Sequence, residues 1–138
     1  MLLFIFSDVV DGTMARLNGM TSRFGAFLDS TLDRIVDAAL LGSVTYFLWS
    51  QDDRLHIVAW FAMAGGYLVS YVKARAEASG FTCSGGFAER PERTIILLVA
   101  TGFAGLGIPY ILAVGIWIVA ITSFLTVAYR VAQVWKQR

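Results

Sequence analysis

The stretch SDVVDGTMARLNGMTSRFGAFLDSTLD, from Ser7 to Asp33, places four aspartates at two short spacings, Asp8 with Asp11 and Asp29 with Asp33. At about 100° per residue the first pair lies roughly 60° apart around a helix and the second roughly 40°. Each pair therefore shares one helix face. On antiparallel neighbours joined by the short NGMTSR turn, the two pairs would direct all four carboxylates into one polar space. Left alone, such anions repel one another and lose hydration, so protonation or divalent cations must compensate. Oxygen-only ligands suit Mg²⁺ or Mn²⁺ better than zinc. Gly12, Ala15 and Gly25 are small where a spanning helix tolerates any apolar residue, and Arg16 adds a cation suited to a carboxylate or a phosphate. Carboxylate-held metal, small gaps and a phosphate-directed Arg together point to phosphoryl transfer. Taken singly, each feature has a plainer reading: glycines pack membrane helices, and an isolated intramembrane Asp serves equally as a pairing or proton-relay residue.

The elements that must position these residues belong in a membrane. Of 138 residues, 57% are hydrophobic and 15% charged, with mean hydropathy +0.67. That balance is too apolar for an ordinary soluble domain and indicates an all-α integral membrane protein. A net charge of +1 gives no field for nucleic acid, and the lone Cys83 can form neither an intrachain disulfide nor a thiolate metal cage. Met1 runs directly into LLFIF without a basic region before it or a cleavage site after it, so this start does not read as a signal peptide. An upstream helix is expected before Met1.

A spanning helix needs about 20 mostly apolar residues. Five segments approach that length. They are Met1 to about Leu17, about Phe24 to Trp49, about Leu55 to Val72 continuing through KARAEASG to Gly80, and two helices within Thr94 to Tyr129. The last stretch lacks charge and is too long for one crossing, and GLGIP at Gly105–Pro109 supplies its break. Alternating crossings put Arg16, Arg23, Arg34, Lys73, Arg75, Arg90, Arg93, Arg130, Lys136 and Arg138 on one side and Arg54 alone on the other. Basic residues are retained in the cytoplasm, so that side is the expected cytoplasmic face. One membrane domain, residues 1–138, accounts for the chain.

The pattern as a whole is more specific than its parts. Asp8, Asp11, Gly12, Ala15, Arg16, Gly25, Asp29 and Asp33 occupy eight fixed positions. At residue frequencies of about 0.07, such a set recurs by chance about once in 10⁹ registers. It resembles the signature of the CDP-alcohol phosphotransferases, with every fixed position present. The resemblance implies a bundle of six transmembrane helices, of which about five are in this chain, and a homodimer. It also implies two Mg²⁺ or Mn²⁺ ions held by Asp8, Asp11, Asp29 and Asp33, with Asp33 also the base for the acceptor hydroxyl. Gly12, Ala15, Arg16 and Gly25 would line the site for the cytidine diphosphate moiety.

Acceptor choice falls to the second basic region. SYVKARAEASGF carries Lys73 and Arg75, and AERPERTII carries Arg90 and Arg93 at a helix start where Pro91 fits the first turn. Retention of positive charge in the cytoplasm also explains such residues. The wording of these two stretches resembles the phosphatidylinositol phosphate synthases of actinobacteria within the family. That implies transfer of the phosphatidyl group from CDP-diacylglycerol to inositol 1-phosphate at the bacterial cytoplasmic membrane, the acceptor phosphate gripped by Lys73, Arg75, Arg90, Arg93 and Arg130. A phosphatidylglycerophosphate synthase using glycerol 3-phosphate is the nearest alternative. Serine would give the basic cluster nothing to hold, and a cation transporter would need a polar path across the whole bilayer. Asp37 reads as a partner for a basic side chain, and His56, beside Asp52, Asp53 and Arg54, as an interfacial residue.

Overall fold

A computed structural model of the chain describes residues 23–87 and 89–138. These form four helices: α1 (Arg23–Ser50), α2 (Leu55–Ala78), α3 (Arg90–Gly105) and α4 (Ile111–Lys136). The expected helix from Met1 to about Leu17 lies outside the described residues. Residues 23–36 belong to one compact unit and Asp37–Arg138 to another.

The helix ends follow from the local sequence. After α2, Gly80 N–H bonds Glu77 O at 3.0 Å and Phe81 N–H bonds Ala76 O at 3.0 Å. After α3, Gly107 N–H bonds Ala104 O at 3.0 Å and Ile108 N–H bonds Phe103 O at 3.2 Å. Both are Schellman closures, and both need a left-handed residue, here Gly80 at φ 82° and Gly107 at φ 85°. The GLGIP stretch therefore ends α3 through its second glycine, and Pro109 prevents continuation. At the other side of that helix, Pro91 occupies the first turn, and the Glu92 carboxylate accepts from Glu89 N–H at 2.9 Å. α3 thus begins at Arg90, four residues before the charge-free stretch at Thr94. At the start of α2, the Asp53 carboxylate accepts from Leu55 N–H at 2.9 Å, and His56 Nδ1 lies 2.7 Å from Asp53 O.

Helices α2 and α4 are long and apolar enough to cross a membrane. The other two do not reach that mark by length and composition. α1 carries Asp29, Asp33, Arg34 and Asp37 in its first half, and α3, at 16 residues, is about 24 Å long. α4 packs against both α2 and α3. Its buried residues Ile116, Val119 and Ala120 join Leu41, Val44, Leu48, Ala59, Ala62 and Leu97 in one core. Outside that core the helices expose Trp60, Phe61, Trp117, Ile121 and Phe124, surface that lipid covers without cost.

Small residues let the backbones approach. A Cβ added to Gly65 would meet Ser123 Cβ at 2.9 Å, and one on Gly115 would meet Ala100 Cβ at 2.5 Å, whereas one on Gly42 would meet nothing within 4 Å. Overpacking of this kind costs about 1–3 kcal/mol, while Gly→Ala in an open helix position is worth up to about 1 kcal/mol in propensity. Gly65→Ala and Gly115→Ala should therefore lower the melting temperature in detergent, and Gly42→Ala should leave it unchanged or raise it. Equal losses at all three positions would contradict this account of the packing.

Candidate active site

Two groups of functional side chains are described, one on the first half of α1 and one at the end where α2 finishes, α3 starts and α4 finishes. On α1, Gly25, Asp29 and Asp33 follow one another at four-residue intervals, so they stack along one face. Asp29 is exposed and Asp33 half-buried. The neighbouring hydroxyls of Ser30 and Thr31 do not compete for that face's chemistry, since both donate to Phe27 O, at 2.8 and 2.9 Å. Two carboxylates one helical turn apart provide hard oxygen donors of the kind Mg²⁺ and Mn²⁺ take. Asp8, Asp11, Gly12, Ala15 and Arg16 lie outside the described residues. Among the described residues alone, no cluster of three metal-ligating side chains occurs.

The second group is basic. Lys73 and Arg75 sit exposed on the last turns of α2, Lys73 4.0 Å from Glu77 on the same helix. An exposed pair of this spacing contributes a few tenths of a kcal/mol at most. Arg90 opens α3 and pairs with Asp37, its Nε 3.3 Å from Oδ1 and 3.4 Å from Oδ2. This is the basic partner expected for Asp37, and it ties the start of α3 to α1. Arg93, one turn further along α3, is buried, with Nη1 3.5 Å from Ser123 Oγ on α4. Gly66 on α2 lies beside its guanidinium, and a Cβ there would make only ordinary contact, 3.9 Å from Arg93 Nη1. Arg130 on α4 is also buried, donating from Nε to Gly85 O at 3.0 Å and from Nη1 to Val69 O at 2.8 Å. Those bonds use two of its five N–H donors.

From Phe81 to Phe87 the chain has no regular helix or strand and lies along α4. Gln137 accepts from Thr82 N–H at 2.9 Å and donates to Thr82 O at 2.7 Å, and Gln133 accepts from Ser84 N–H at 3.4 Å. Thr126 Oγ1 accepts from Phe87 N–H at 3.1 Å. Sequence reasoning did not find Thr126, Gln133 or Gln137. The available signal was their spacing with Arg130: four hydrogen-bonding residues at intervals of four, three and four, ending at the residue that caps α4.

A family model described as CDP-alcohol phosphatidyltransferase matches residues 1–128. The phosphatidylinositol phosphate synthase of Corynebacterium glutamicum is 46% identical over 137 residues, covering 97% of this chain and 63% of that protein. The protein of the same name from Streptomyces avermitilis is 47% identical over 146 residues, covering 98% of this chain and 59% of that protein. The chain thus spans about three-fifths of the length of these relatives. A crystal structure of the Mycobacterium tuberculosis phosphatidylinositol phosphate synthase with CDP-DAG bound superposes with a TM-score of 0.85 at 41% identity, covering 97% of this chain and 70% of that one. Another structure of that synthase, in complex with manganese and citrate, gives a TM-score of 0.84 at 40% identity, covering 97% of this chain and 66% of that one.

The Arg90–Asp37 pair is partly solvent-shielded, with side-chain exposures of 31% and 21%. A double-mutant cycle with Arg90→Gln and Asp37→Asn should give a coupling energy of about 1 kcal/mol, read from unfolding in detergent. Strict additivity would mean that the pair does not tie α3 to α1.

Proposed function

The chain belongs to the CDP-alcohol phosphatidyltransferase family, and from that premise we propose that it transfers the phosphatidyl group of CDP-diacylglycerol to inositol 1-phosphate, releasing CMP and forming phosphatidylinositol phosphate. The observation that carries this reading is the complete eight-position pattern from Asp8 to Asp33. Its support is a chain likeness of 41% identity to a synthase of that name with CDP-DAG bound.

In this reading Asp8, Asp11, Asp29 and Asp33 would hold two divalent ions, a ligand role that the stacked carboxylates of Asp29 and Asp33 fit. Bound Mg²⁺ or Mn²⁺ supplies charge neutralisation at the diphosphate. Gly12, Ala15 and Gly25 leave space for the cytidine diphosphate, and Arg16 pairs with its phosphate. Lys73, Arg75, Arg90, Arg93 and Arg130 form the basic wall that holds the acceptor's phosphate, and so orient its hydroxyl for attack. Asp33 takes the hydroxyl proton as the new P–O bond forms to the phosphorus bearing diacylglycerol. The P–O bond to CMP breaks in the same displacement. The enzyme acts as a multi-pass homodimer in a bacterial cytoplasmic membrane, with the site on the cytoplasmic side. The gathering of Lys73, Arg75, Arg90, Arg93, Arg130, Lys136 and Arg138 at one end, away from Arg54, supports that orientation.

The test is CMP release by the full-length protein in detergent with CDP-diacylglycerol and Mg²⁺ or Mn²⁺, supplying inositol 1-phosphate, inositol, glycerol 3-phosphate or serine in parallel. Release with inositol 1-phosphate is expected. Release with glycerol 3-phosphate instead would keep the carboxylate chemistry and overturn the acceptor, and silence with all four would overturn the reading. Asp29→Asn should cut turnover by about 100-fold or more while the protein stays folded, and chelation should abolish turnover until metal is restored. Full activity in the Asn variant would rule out a ligand role for Asp29.

A further inference from the structure

We infer that Thr126, Gln133 and Gln137 are positioning residues for the acceptor site: they hold the segment Thr82–Phe87 on α4 as a strap that sets the spacing of the two basic groups it connects. The inference rests on the function proposed above, because it concerns the residues assigned there to the acceptor phosphate.

The contacts run in antiparallel order. Gln137 meets Thr82, Gln133 meets Ser84, Arg130 meets Gly85 and Thr126 meets Phe87. Eleven residues of helix, from 126 to 137, rise about 16 Å. The strap from Thr82 to Phe87 follows this face with four contacts and turns at Gly85, whose φ is 73°. Strap and helix face therefore stay in register across these four contacts. The strap needs such partners, because irregular backbone lying against an apolar bundle has no ladder of its own to satisfy its N–H and C=O groups.

The tightest point is at Thr126, which is fully buried. A Cβ on Gly86, whose φ is +153°, would overlap the Thr126 methyl, so only glycine lets the strap lie this close. Phe87 then packs edge-on against Tyr129, with ring centroids 6.1 Å apart. At one end the strap leaves the Schellman closure of α2, five residues after Arg75, and at the other it enters α3 at Arg90. Arg130 secures the middle to α2 through Val69 O, the carbonyl one helical turn before Lys73. Where the strap sits on α4 thus decides how far Lys73 and Arg75 stand from Arg90 and Arg93.

The test uses the full chain with Thr126→Val, Gln137→Leu and Thr126→Ser. Val and Leu keep the volume and remove the hydrogen bonds, and Ser keeps the acceptor oxygen. Each is assayed for KM with inositol 1-phosphate, for KM with CDP-diacylglycerol and for maleimide reaction of Cys83. That thiol lies within the strap, is only 5% exposed and belongs to the sole cysteine of the sequence. Thr126→Val and Gln137→Leu should raise the inositol 1-phosphate KM by about fivefold to tenfold, the worth of one lost hydrogen bond. They should also speed Cys83 labelling and leave the CDP-diacylglycerol KM unchanged, and Thr126→Ser should match the wild type. Unchanged labelling would overturn the strap's attachment by these residues. Faster labelling with both KM values unchanged, or both raised alike, would reduce it to a structural feature. A wild-type protein silent with inositol 1-phosphate would overturn the functional reading and this inference with it, whereas an active wild type with insensitive variants would overturn this inference alone.

Discussion

The buried guanidinium of Arg130 joins three pieces of chain at one point. Its bonds to Gly85 O and Val69 O link α4 at once to an irregular loop and to a turn in the middle of α2. A cation removed from water needs hydrogen-bonding partners, and carbonyl dipoles supply them without a counter-ion. The α2–α4 contact begins with small residues, where Gly65 faces Ser123, and it ends with this charge. Apolar packing brings the helices together along their length, and the polar bonds determine which turns face one another at the basic end.

That end is also where the protein departs from a simple bundle. Lipid-facing helices satisfy their own backbone, so a loop beside them is tolerated only when side chains complete its hydrogen bonding. Thr126, Gln133 and Gln137 do so here, and Thr126 Oγ1 also donates to Thr122 O at 2.7 Å. Its hydroxyl is thus used both as donor and as acceptor. Arg90 performs a related task toward α1 by pairing with Asp37. The basic residues consequently differ in freedom. Lys73 and Arg75 are exposed, while Arg93 and Arg130 are buried. Two of these groups thus stand at the surface of α2, and two are held by hydrogen bonds on α3 and α4.

How much of this the sequence revealed depends on the range of the interaction. The α1 segment was expected over about Phe24 to Trp49 and runs Arg23–Ser50, because hydropathy and the polar break at Gln51–Arg54 are local signals. The division at GLGIP was legible for the same reason: a glycine closure and a proline act on the residues beside them. The family resemblance read from Asp8 to Asp33 is borne out by a match over residues 1–128. Five crossings were expected, yet only α2 and α4 among the described residues meet the length and apolarity of a span. The charges of α1 and the shortness of α3 keep these two helices below that mark, and the segment from Met1 to about Leu17 lies outside the described residues. The strap was not legible, since its bonds join residues 39 to 55 positions apart. Only the polar spacing on α4 hinted at a partner, and nothing local identified it.

The carboxylate pair of α1 and the group of basic residues are built by different means, and this bears on what each tolerates. Asp29 and Asp33 owe their alignment to a single helix, whose own backbone bonds keep them one turn apart. Any substitution that preserves that helix preserves their relation. The basic wall draws on three helices and a loop, so its geometry depends on side-chain bonds between elements. Such an arrangement can be retuned by residues that never touch a ligand, because shifting the loop or the start of α3 moves charges without removing any. Metal-assisted phosphoryl transfer demands a carboxylate geometry that varies little. Recognition of one phosphorylated alcohol rather than another demands a wall that can be adjusted. In the proposed reading, a single helix meets the first requirement and the bonds between elements around the basic residues meet the second.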